Sequence, residues 1–86
     1  MEVILEFTYR FYNVRVRLDP ECPIEEFNER ELEVIKLELQ RLLIDHESNL
    51  NMGQIAQLLF EQERTAAVEV KFSSSNLGIV RYKNWP

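Results

Sequence analysis

The chain has 86 residues, 45% of them hydrophobic and 29% charged, with a formal net charge of −5 at pH 7. One domain accounts for that length, and the balance of apolar and charged residues excludes collagen-like, mucin-like and intrinsically disordered chains. No apolar run reaches the roughly 18 residues of a membrane span, Met1-Glu2-Val3 does not open like a secretory leader, and the single Cys22 closes no internal disulfide. A cytoplasmic protein held together by packing is therefore expected.

Val3 to Tyr9 is dense in β-branched and aromatic residues, and Val14-Arg15-Val16-Arg17-Leu18 alternates with period two, so both segments read as strands. With Phe11 and Tyr12 as the turn, Phe7 falls opposite Val16 and Glu6 opposite Arg17, matching apolar with apolar and acid with base. Pro20 and Pro23 end the second strand.

Phe27-Asn28-Glu29-Arg30-Glu31-Leu32 has the grammar of a helix start. Asn28 accepts from the amide of Glu31, the Glu31 carboxylate reaches back, and Phe27 packs on Leu32, giving a helix over residues 29 to 47. Leu50-Asn51-Met52-Gly53-Gln54-Ile55 repeats that grammar and starts a second helix near residue 52. From Ala67 to Phe72 and from Leu77 to Lys83 the pattern returns to strand, across a polar Ser73-Ser74-Ser75-Asn76 turn. A pairing of Val70 with Val80 also sets Glu69 against Arg81.

The fold expected over residues 1–86 is thus α+β: a single two-layer domain in ββααββ order. Two hairpins form an antiparallel sheet, and both helices cover one of its faces because a hairpin alone is marginal and has one apolar side to bury.

Residues 21 to 64 carry eleven acids and four bases, a charge of −7, whereas residues 65 to 86 carry one acid and three bases, a charge of +2. The helices are acidic and the sheet is neutral to basic. Arg15, Arg17, Lys71, Arg81 and Lys83 share the outer sheet face, with Tyr12 and Trp85 as candidate flanking aromatics. Such a face supports binding of an anionic ligand or of single-stranded nucleic acid. The acidic net charge runs against it, making this the second of two functional readings.

The first reading comes from the first helix. On a 100° wheel Leu32, Ile35, Leu39, Leu42 and Leu43 gather on one side as a core stripe, while Val34, Leu37 and Ile44 form a second apolar group on the other side. Either the second helix or another chain covers that second group. A Glu38 to Arg41 pair at i,i+3 is expected to join successive turns of the same helix.

Residues that carry chemistry are sparse. His46 is the sole histidine and Cys22 the sole cysteine, no glycine-rich loop cradles a phosphate, and Glu25, Glu26 and Glu29 have no histidine beside them to mark a metal site. No catalytic, cofactor-binding or metal-ligating residue is assigned and no cofactor is expected. The expected function is that of a small, acidic, non-enzymatic interaction or regulatory protein. Its partner is another protein, or a second copy as a homodimer, held through Val34, Leu37 and Ile44 of the first helix or through a sheet edge, with neither membrane nor nucleic acid as the favoured partner.

Overall fold

Six elements follow one another: β1 (Ile4–Tyr9), β2 (Tyr12–Leu18), α1 (Glu29–Ile44), α2 (Met52–Phe60), β3 (Thr65–Phe72) and β4 (Val80–Tyr82). The computed structural model describes residues 3–19, 28–46, 49–74 and 78–82. The fold is α+β, with four antiparallel strands in one sheet in the order β1-β2-β3-β4 and two helices. Central pairing of β2 with β3 joins the two hairpins, which sequence pattern alone left open.

Alternation along each strand decides which face is buried. Leu5, Phe7, Tyr9, Val14, Val16, Leu18, Val68 and Val70 point to the helix side and are all buried. They meet Ile35, Leu39 and Leu43 of α1, and Ile55, Ala56 and Leu59 of α2, in one core. α1 lies against β1, and α2 against β3 and β4. Leu32 and Leu42, expected in the core stripe, are partly buried at its margin, as is Val80. Among the described residues no helix is long and apolar enough to cross a membrane.

The first hairpin corrects the expected register. Its turn is Arg10-Phe11, so Tyr9 pairs with Tyr12, Phe7 with Val14 and Glu6 with Arg15. Arg10 supplies the left-handed backbone that a tight turn needs, at φ 55°. The slip is by an even number of residues, so every side chain keeps its face. Tyr12 thereby becomes a strand residue whose ring packs on Phe72 at 5.3 Å. It sits on the helix side of β2, not beside the basic face.

The helix boundaries follow their caps. Asn28 accepts from the amide of Glu31 at 2.9 Å, but the reciprocal half of a capping box forms only in α2, where Asn51 and Gln54 bond to each other's backbone amides. α1 ends at Ile44: the Asp45 amide still donates to the Arg41 carbonyl four residues back, and the His46 amide then donates to Leu43, three residues back, as the last turn tightens. Arg41 pairs with Asp45 at 3.8 Å, and Glu38 reaches across to Arg64 at 3.8 Å, in place of the expected Glu38 to Arg41 pair. Cys22, Glu25, Glu26, Phe27, Lys83 and Trp85 lie outside the described residues.

A register irregularity between Arg17 and Leu18 pairs Leu18 with Thr65 and Arg17 with Ala67, leaving Ala66 as the extra residue. The bulge brings Thr65 to the helix side at the point where the chain arrives from α2.

Candidate interaction surfaces

α1 is apolar on two sides, and only one is used by the fold. Ile35, Leu39 and Leu43 are buried against the sheet. Val34, Leu37 and Ile44 stand on the opposite side at 49%, 53% and 63% exposure. α2 does not cover them, because it is engaged with β3 and β4. Steps of three residues from Val34 to Leu37 and of seven from Leu37 to Ile44 keep the group on one line along the helix, with Arg41 between the last two. Arg41 is itself well exposed and leans toward Asp45.

The outer face of the sheet collects charge in one row. Register places Glu6, Arg15, Glu69 and Arg81 side by side across all four strands. Arg81 donates through Nε to Glu69 Oε2 at 2.9 Å. Arg15 stands 3.7 Å from Glu69 Oε1 and 3.7 Å from Glu6 Oε2. Glu69 is 4% exposed although its face is the outer one, because these cations close over it. Of the residues expected on a basic face, Arg15, Arg17, Lys71 and Arg81 do share it, and Lys83 lies outside the described residues. Arg15 and Arg81 direct their charge at the sheet's own carboxylates.

β1 is an edge strand. Gln40 of α1 donates through Nε2 to the Thr8 carbonyl at 3.0 Å, occupying one acceptor of that edge. Two exposed aromatics went unassigned in the sequence: Phe11 in the first turn, at 72%, and Phe72 at the end of β3, at 40%. The sequence signal for Phe11 was available, since a phenylalanine in a two-residue turn has no interior to enter.

Among the described residues no three of His, Cys, Asp and Glu are grouped so as to hold a metal ion. His46 follows the end of α1 and is exposed. In comparisons with family models, with curated proteins and with solved structures, nothing matches this chain.

Proposed function

We propose that this chain is a non-enzymatic interaction protein of the cytoplasm that binds another protein, or a second copy of itself, through the outer side of α1. The observation that carries the reading is the exposure of Val34, Leu37 and Ile44, at 49%, 53% and 63%, on a helix whose other side already fills the core. A soluble domain exposes single apolar residues freely, but a line of large aliphatics on one helix face loses about 25 cal/mol for each Å² left in water and recovers it on docking. An arginine within such a line suits the chemistry of an interface, where Arg is enriched. A regulatory role is the form of action that fits a partner-binding surface on so small a domain.

Sedimentation velocity across a range of concentrations, on the native chain and on Leu37→Asp, with urea midpoints for both, tests this. The expected result is equal folding stability, with any self-association of the native chain lost in the variant. A monomeric variant that loses more than about 2 kcal/mol would show that Leu37 is buried by its own chain and would overturn the reading.

A further inference from the structure

A cleft of about 470 Å³ separates α1 from the turn that carries the chain from α2 into β3. Its size falls within the roughly 300–1,000 Å³ typical of ligand sites. Leu18, Ile35, Leu39 and Leu42 make an apolar floor, and Glu38, Glu61, Glu63 and Arg64 stand around it as exposed side chains. None of these residues belongs to the outer group of α1. On the helix wheel the acids Glu31, Glu38 and Asp45 run as a ridge between the cleft side and the side that carries Val34, Leu37 and Ile44.

The hydrogen-bonding inventory of the cleft is one-sided. Gln62 already donates through Nε2 to the Leu58 carbonyl at 3.0 Å, and the Arg64 guanidinium faces Glu38 at 3.8 Å. Glu61 and Glu63 have no ion pair among the described residues, and the hydroxyl of Thr65, in the cleft wall, is buried without a hydrogen-bond partner. Three carboxylates against one guanidinium leave the rim with an excess of acceptors and of negative charge.

We propose that the cleft takes a segment of a partner protein in which leucine-type side chains alternate with lysine or arginine. Aliphatic groups of that segment cover Leu42, the part-exposed member of the floor, and its cationic heads meet Glu61, Glu63 and Glu38. Long basic side chains suit the site because their methylene stems lie on apolar surface while the charge stays at the rim. A protein segment fits better than a small molecule, because the carboxylates stand on both walls, Glu38 on α1 and Glu61 and Glu63 on the turn, and several cationic side chains of one segment can meet them together. A second copy of this chain is a poor occupant, since its net charge of −5 opposes the negative rim. The inference goes beyond the outer side of α1 and does not rest on it.

The test is an amide NMR titration of the full chain with a short synthetic peptide of leucine, lysine and alanine, beside the same peptide with glutamine in place of lysine. The lysine peptide should shift Leu39, Leu42 and the amides of 61–65, and should bind about tenfold more tightly than the glutamine peptide. Glu61→Gln combined with Glu63→Gln, both on exposed positions, should abolish that difference. Equal affinity for the two peptides, or no shift at the cleft, would overturn the proposal. Shifts confined to Val34, Leu37 and Ile44 would overturn it while leaving the outer side of α1 as the interface. Shifts at the cleft on concentrating the chain alone would identify a second copy as the occupant and also overturn it.

Discussion

Glu69 is the residue on which the outer sheet face turns. A carboxylate that is 4% exposed is costly to hold unless it is paired, and here the pairing is unequal: Arg81 makes a hydrogen bond at 2.9 Å and Arg15 a looser contact at 3.7 Å. Both arginines keep part of their side chains in water, so solvent screens each attraction. Double-mutant cycles in urea should therefore give a coupling of about 1 kcal/mol for Arg81 with Glu69 and less than about 0.5 kcal/mol for Arg15 with Glu69. The cycle is needed because truncating an arginine also removes the packing of its stem. A larger coupling for Arg15 would show that the short Arg81 contact does not persist in solution. The sequence already set Glu69 against Arg81, since the apolar pairing of Val70 with Val80 leaves no other register. It did not show that Glu69 is buried, because that depends on β2 and β3 being neighbours and on Arg15 closing from the other side.

At the scale of elements, the two helices start with the same grammar and end up capped differently. Asn51 and Gln54 satisfy each other's amides at 2.9 Å, whereas Asn28 accepts from Glu31 with no bond returned. Gln54→Ala should thus cost α2 about 0.5–1 kcal/mol, and Glu31→Ala should cost α1 no more than a few tenths, with Asn51→Ala near 1 kcal/mol. Thermal midpoints of these variants measure it, and an equal loss for Gln54 and Glu31 would contradict the difference between the caps. Capping and periodicity made both helices legible, because each signal is local and falls within one turn of the helix start. The first hairpin was legible in its faces but not in its turn: period two fixes which side Phe7 and Val16 take, and only the left-handed backbone at Arg10, at φ 55°, selects Arg10-Phe11. The pairing of β2 with β3 spans the whole helical segment, and no local signal encodes it. The outer group on α1 was legible as a surplus of apolar residues. Whether α2 covered it was settled by tertiary packing alone, once α2 took its place on β3 and β4. The cleft beside Leu39 went unread for the same reason, since Leu18, Glu38 and Glu61 meet only in three dimensions.

For the whole molecule, charge is divided between layers, an acidic helical layer behind a sheet whose cations are largely spoken for. The row of Glu6, Arg15, Glu69 and Arg81 carries two charges of each sign, so its cations are matched within the sheet. A face whose cations are matched in this way offers few phosphate contacts, and even two of them correspond to a salt slope of only about −1.4 for a single strand, far from the steep dependence of a dedicated binder. The acidic helices add repulsion that reaches about 10 Å at 0.1 M salt. Titration with labelled single-stranded oligonucleotides at ~50 mM salt should accordingly show binding weaker than about 10⁻⁴ M. Glu69→Gln supplies the internal control, because it removes the carboxylate that Arg81 and Arg15 share, leaving Arg15 with Glu6, and should both tighten binding and steepen the salt slope by about 0.7. A native chain that already binds with a slope near −3, and that Glu69→Gln leaves unchanged, would mean that the arginines are available to a polyanion despite their carboxylate partners, and would move the functional surface from the helices to the sheet.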